Sequence, residues 1–365
     1  MTEPLDAALR TILGREDSPA GAAIAVATRG RTVTAVAGAR QLAGTEPGVD
    51  ADEEMTLLTE HDLASITKAI TTTVILRLVS DGSLSLDDTA HRLLPSVQAA
   101  GGATVRDLLQ HRAGLWEWWP LYLAASGHDE AFAYLDRMPL RYAPCTTRHY
   151  SDLGFMLLGR IVEQVTGQPL DQAVVGLVLD PLGMSSTRYS APVGHEVAAS
   201  SFGDSAEMRM IETGVPYPVP YSVDDFAGWR RHPIVGEVND GNAFHALGGI
   251  SGHAGLFSSV GDLLLLGTAL SSDSDLWSPT VAEEFFREGP DAGQALGFRR
   301  YGIALDGETM AVIGHPGYTG SVLGFLPGRA TAIVMATNRL HMHAVPVPAE
   351  SMWSTALRAA ADVIS

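Results

Sequence analysis

The sequence predicts a two-lobed α/β protein in which an antiparallel sheet flanked by helices carries an all-helical lobe. Three observations predict it. β-rich runs stand near both ends of the 365-residue chain, helical patterning fills the long stretch between them, and a last amphipathic helix follows the late strands. Strands from both ends then share one sheet, and the middle is an insertion. The boundaries that follow are 1–60 and 245–365 for the sheet lobe and 61–244 for the mainly helical lobe, one unit with a site between the lobes. A chain of this length buries a real core.

Residues 4–15 read as a helix. Residues 22–26 and 32–36 are β-rich runs joined at Arg29-Gly30, a hairpin signal. A polar loop follows to about Thr59. From Ser65 the pattern is helical, through Ile66, Ile70, Val74, Leu76 and Leu78 to a stop at Asp81-Gly82. Short helical pieces come next, at 105–110, 130–136, 153–165 and 170–178. Residues 201–242, with Pro216, Pro218 and Pro220, read as an irregular surface excursion. Strand runs return at 301–305, 310–313, 322–326 and 330–336, and 351–363 is the closing helix.

Hydrophobic residues make up 46% and charged residues 18%, ordinary for a soluble enzyme. The net charge of −18 repels phosphate backbones and anionic lipid, so neither nucleic acid nor a membrane surface is an expected partner. Met1-Thr2-Glu3-Pro4-Leu5-Asp6 lacks the basic start and apolar run of a secretory signal, and no stretch is apolar for long enough to span a bilayer. Cys145 is the only cysteine and allows no disulfide within the chain. The expectation is a cytoplasmic protein.

Lys68 is the only lysine among 24 basic residues. Arg replaces Lys freely on a solvated surface but cannot be deprotonated, so a lone Lys hints at a position that needs a neutral amine. Coding bias with one survivor would leave the same trace, and the position decides between them. Lys68 closes Ser65-Ile66-Thr67-Lys68, an S-x-x-K motif at the expected start of a helix. Residues three apart share a helical face, which brings Lys68 to the Ser65 hydroxyl. A serine there also presents its own free N–H to a developing oxyanion.

Tyr150-Ser151-Asp152 precedes the amphipathic helix from Leu153. A Tyr beside a cationic Lys has its phenolate stabilised and can serve as a general base. A capping Ser or Asp next to a packed Tyr would look the same. Gly314-His315-Pro316-Gly317-Tyr318-Thr319-Gly320-Ser321 lies between two late strands. It is either a hairpin turn or a Gly-bearing edge that lets a substrate approach and frees a second oxyanion donor.

In this order and at these separations, the three motifs resemble those of the serine β-lactamase-like superfamily, nearest to class C β-lactamases, D,D-peptidases and family VIII carboxylesterases. Leu108-Leu109-Gln110-His111-Arg112-Ala113-Gly114-Leu115 resembles that family's LLxHxSGL segment, and Gly248 to Ser258 its Gly-rich segment before a late helix. The resemblance spans nearly the whole chain. It implies a β-lactamase/transpeptidase-like fold, with Ser65 as nucleophile, Lys68 as its activating partner and Tyr150 as the base that later protonates the leaving group. The backbone N–H groups of Ser65 and Tyr318 would form the oxyanion hole, and His315 and Gly317 occupy the family's third motif.

Two positions depart from the antibiotic hydrolases. Asp152 stands where class C enzymes carry Asn and cannot donate an amide N–H to substrate. His315 stands where β-lactamases carry the Lys that helps hold a carboxylate, and a His is largely neutral at pH 7. The expected reaction is therefore hydrolysis of a small or medium acyl ester, without metal or organic cofactor. The first alternative is acyl transfer to an amine or alcohol in natural-product assembly. β-Lactam or D-amino-acid peptide hydrolysis and a non-catalytic binding protein of the same fold stay open, although intact Ser65, Lys68 and Tyr150 count against the last.

Other residues carry weaker signals. Trp116, Trp118 and Trp119 either line an apolar acyl pocket or pack in the core, and Trp116 is the one assigned to substrate. His341 and His343 form an H-x-H pair with no carboxylate or Cys cluster, so a solvated loop is expected rather than a metal site. His111, His149 and His253 read as structural hydrogen bonders, and Cys145 as a buried or half-buried bystander. No Gly-x-Ser-x-Gly elbow supports an α/β-hydrolase.

Overall fold

The computed structural model describes residues 2–45, 49–191, 196–342 and 346–365. In α1 (Glu3–Leu13) the spacing of Leu5, Ala8, Leu9 and Ile12 puts all four on one buried face. β1 (Gly21–Thr28) and β2 (Arg31–Gln41) form the expected hairpin, and both turn residues, Arg29 and Gly30, have positive φ. Two short strands follow, β3 (Glu53–Glu54) and β4 (His61–Asp62). The helical stretch then runs through α2 (Thr67–Ser80), α3 (Ala90–Leu93), α4 (Val105–Leu109), α5 (Leu121–Ala124), α6 (His128–Arg137), α7 (Asp152–Thr166), α8 (Leu170–Val174) and α9 (Asp180–Leu182). Beyond it lie β5 (Arg188–Tyr189), α10 (Ser205–Thr213), β6 (Leu256–Ser258), α11 (Val260–Leu270) and α12 (Pro279–Phe286). The chain returns to strands in β7 (Arg299–Leu305), β8 (Glu308–Pro316), β9 (Val322–Leu326) and β10 (Thr331–Thr337), then α13 (Ala349–Ile364).

Seven strands make one antiparallel sheet in the order β3-β2-β1-β10-β9-β8-β7. Its central pair joins the two ends of the chain, with Ala22 opposite Thr337 and Thr28 opposite Thr331. Side chains alternate across the pleat. Ile24, Val26, Ile333 and Met335 face the core under α1 and α13, whereas Ala23, Ala25, Val334 and Leu323 join the larger core with α2, α7 and α11. Both faces are covered, which explains why β1 reads as a near-continuous apolar run rather than an alternating one. A second sheet, β4-β6-β5, links the segment before Ser65 to the Gly-rich segment.

The excursion 201–242 is not wholly irregular as expected. Residues 205–213 form α10, which buries Ile211 and stops at Gly214 in the left-handed conformation. The rest is held from inside: Arg230 and Asp204 form a buried ion pair, and Arg230 also donates to the Val238 and Asn239 carbonyls. Among the described residues no helix is long and apolar enough to cross a membrane.

Candidate active site

Ser65 sits in one turn of 3-10 helix, Ala64–Ile66, that leads directly into α2. One turn on, the fully buried Lys68 gathers several partners. Its Nζ donates to Ser65 Oγ at 2.9 Å and to the His253 carbonyl at 3.2 Å, and pairs with Asp152 Oδ1 at 2.7 Å. Burial alone would lower its pKa. The charge of Asp152, then the Tyr150 oxygen, outweigh burial and hold the pKa above the ordinary lysine value. The lone lysine is thus kept as an ammonium in the free protein, not as the neutral amine its uniqueness suggested.

Ser151 caps α7, accepting the Gly154 N–H and donating to the Trp116 carbonyl at 2.6 Å, while the Asp152 N–H goes to the Glu117 carbonyl. These bonds fix Tyr150 and Asp152 against α2. The Tyr150 ring lies 5.1 Å from Lys68 Nζ, 4.5 Å from the His111 ring and 6.2 Å from the His315 ring, measured between centroids. His111 accepts the Ser151 N–H through Nδ1, and burial, then the nearby Arg148 and Lys68 charges, keep it neutral.

The third motif extends β8 through Pro316 and turns at 317–321. His315 is buried and donates from Nδ1 to the Pro316 carbonyl at 2.8 Å, which leaves Nε2 without a proton. Burial, then Lys68, press its pKa well below the usual histidine value. Gly317 lies so close to the Ser65 turn that a Cβ there would stand 2.5 Å from the Leu63 carbonyl oxygen. Its glycine character serves packing of motif on motif. The backbone N–H groups of Ser65 and Tyr318 have no hydrogen-bond partner among the described residues. The Tyr318 side chain is half exposed and lies under Arg339.

The other candidates scatter. Trp118 and Trp119 are core aromatics; the half-buried Trp116 ring stacks under Arg141 and against Trp119, and its indole N–H is taken by the Pro139 carbonyl. Cys145 is exposed, not buried or half-buried as expected, because it sits in a surface turn held by Arg112. Slight desolvation, then Asp107, raise its pKa, which disfavours the thiolate. His343 lies outside the described residues, and His341 Nε2 accepts the Leu42 N–H.

Sequence reasoning missed three supports. Gly252 packs so tightly on α7 that a Cβ would meet the Phe155 carbonyl at 2.3 Å, which is what delivers the His253 carbonyl to Lys68. Arg148 stacks on Tyr150, its guanidinium 5.4 Å from the ring centroid, and has no hydrogen bond or ion pair with the described residues. Tyr217, from the Pro-rich stretch, is pushed up to about 12 by burial and by the Asp152 and Glu117 charges, so the excursion reaches the site. The position of Arg148 two residues before Tyr150 was the available signal for one of them; the other two depend on long-range packing.

A family model described as Beta-lactamase matches residues 5–356. The chain is 32% identical over 316 residues to a protein of Escherichia coli (strain K12) that carries the provisional description D-alanyl-D-alanine carboxypeptidase; the match covers 78% of this chain and 70% of the relative. It is also 32% identical to an N-acetylmuramyl-L-alanine amidase of Bacillus subtilis (strain 168), covering 79% and 70%. The solved structure of EstCE1, a hydrolase with promiscuous acyltransferase activity, shares the fold with a TM-score of 0.70 at 20% identity, over 99% of both chains.

Proposed function

Because the chain belongs to the β-lactamase family of serine hydrolases, we propose that it is a carboxylesterase for small or medium acyl groups, acting through an acyl-enzyme on Ser65. Ser65 Oγ attacks the ester carbonyl and gives its proton to Tyr150, for whose phenolate the Lys68 ammonium is the counter-ion. The N–H groups of Ser65 and Tyr318 receive the oxyanion. Tyr150 returns the proton to the leaving alcohol, and water then repeats the steps to release the acid. Asp152 anchors Lys68 and so fixes the distance on which the first step depends.

One observation favours an ester over a β-lactam: His315 is buried and neutral, so the third motif offers no cation to a substrate carboxylate. Hydrolysis of an amide or a D-amino-acid peptide is the second reading, supported by the two relatives' descriptions at 32% identity. Acyl transfer differs only in the acceptor that reaches the acyl-enzyme.

The test is p-nitrophenyl butyrate hydrolysis by wild type and Ser65→Ala, run beside a D-alanyl-D-alanine peptide, a chromogenic cephalosporin and a series with a small amine. Ester release lost in Ser65→Ala and exceeding turnover of the other substrates carries the proposal. Faster release with the amine would favour transfer, and preferred peptide or cephalosporin cleavage would overturn the ester reading.

A further inference from the structure

We infer that Asp62 is a positioning residue for the nucleophile: its carboxylate ties the Ser65 turn to the excursion, and its backbone carbonyl holds the third motif beside them. The inference depends on Ser65 being the nucleophile.

Asp62 ends β4 and is 3% exposed. Its Oδ1 accepts the Ala64 N–H at 2.8 Å, its Oδ2 the Asn239 N–H at 2.6 Å, and its own carbonyl the Thr319 hydroxyl at 2.7 Å. Each bond reaches a different stretch of the site. Ala64 directly precedes Ser65 and stands at φ 43°, in the left-handed region that costs a non-glycine residue roughly 1 kcal/mol or more. The bond from Asp62 to the Ala64 amide, two residues on, is the kind that holds such a turn. Thr319 follows Tyr318, one of the two candidate oxyanion donors. Asn239 precedes Asp240, whose Oδ1 lies 3.0 Å from His253 Nε2; the His253 carbonyl in turn accepts from Lys68. The Ser65 turn and, by way of Asn239 and Asp240, the His253–Lys68 contact are therefore registered on this side chain, and the turn after Tyr318 on the same residue's carbonyl.

The carboxylate form is needed because both bonds come from N–H donors. Burial pushes the Asp62 pKa up to about 6 against the pull of the Ala64 and Asn239 amides, with Asp240 adding to the rise and Arg230 opposing it. The other titratable neighbour is His61 on the same strand, itself held neutral by burial. Protonation of Asp62 turns one oxygen into a donor facing an N–H, and one clamp bond is lost as the pH falls through this range.

The test is Asp62→Asn, which keeps the shape but aims an NH2 at one of the two N–H groups. Misplacement of the nucleophile should lower kcat for the Ser65-dependent ester by about 10- to 100-fold with little change in KM. The acid limb of the wild-type kcat profile near pH 6 should be absent from the variant. Ala64→Gly in the same chain removes the backbone penalty, and the double variant should regain part of the loss. A kcat within about twofold of wild type, or a loss that only tracks the melting temperature and that Ala64→Gly does not relieve, overturns the inference. If wild type shows no Ser65-dependent turnover, the functional reading fails by itself. Hydrogen exchange at the 63–66 amides then decides for Asp62: faster exchange in Asp62→Asn supports the clamp, and unchanged exchange refutes it.

Discussion

Lys68 shows how one atom's surroundings decide what a residue can do. Its Nζ has no exposed surface and lies within 2.7–3.2 Å of Ser65 Oγ, Asp152 Oδ1 and the His253 carbonyl. Arg would keep the charge, but a planar guanidinium cannot offer three donors from one point. Lys68→Arg should therefore lose at least about 100-fold in kcat, and Tyr150→Phe about 100- to 10,000-fold, read with p-nitrophenyl butyrate. Near-normal turnover in Lys68→Arg would remove Lys68 from the mechanism. A Tyr150→Phe protein as fast as wild type would move the base elsewhere.

At the scale of elements, the site is where α2, α7 and the β8–β9 turn meet, and their closeness depends on residues without side chains. Gly317→Ala would put a methyl against the Leu63 carbonyl and lever the third motif away from Ser65. We expect a fall in kcat/KM of about 100-fold with a small change in melting temperature, measured by ester hydrolysis and thermal denaturation. Equal activity would show that the turn yields without moving Tyr318. The elements themselves were legible in the sequence wherever periodicity ran long enough: α1, the β1–β2 hairpin, α2, α7, the four late strands and α13. So was the pairing of strands from both chain ends. Helix α10 was not, because Pro216, Pro218 and Pro220 just beyond it colour the whole stretch as loop. Within the site, the motifs announced Ser65, Lys68, Tyr150 and His315, since short-range spacing encodes them. The charge state of Lys68 and the supports from Asp62 and His253 were hidden, because burial and contacts across some 180 residues create them.

The whole molecule carries several imidazoles in its interior that must gain protons if it is to unfold in acid. His61, His111 and His315 are all buried and all pushed below the usual histidine value by burial. Their folded pKa values lie below the unfolded ones, so the stability they allow is complete above about pH 6.5 and is lost as the pH falls toward the folded values. His61, held down to about 4, contributes about 2 kcal/mol of that loss by pH 5. Its Nε2 has no hydrogen-bond partner among the described residues, so His61→Leu should be tolerated at pH 7 and should flatten the decline between pH 6.5 and 4, followed by urea unfolding across that range. A decline just as steep in the variant would assign it to other groups.

The pairing of β1 with β10 also sets an order of events during synthesis. Thr28 and Thr331, whose hydroxyls meet across the central strands, are 303 positions apart. At cellular elongation rates of about 5–20 residues per second, β1 waits roughly 15–60 s for its partner to leave the ribosome. For that interval the β1–β2 hairpin offers an unpaired apolar edge to whatever is near, so chaperone demand should peak late in translation and fall once the last strands emerge.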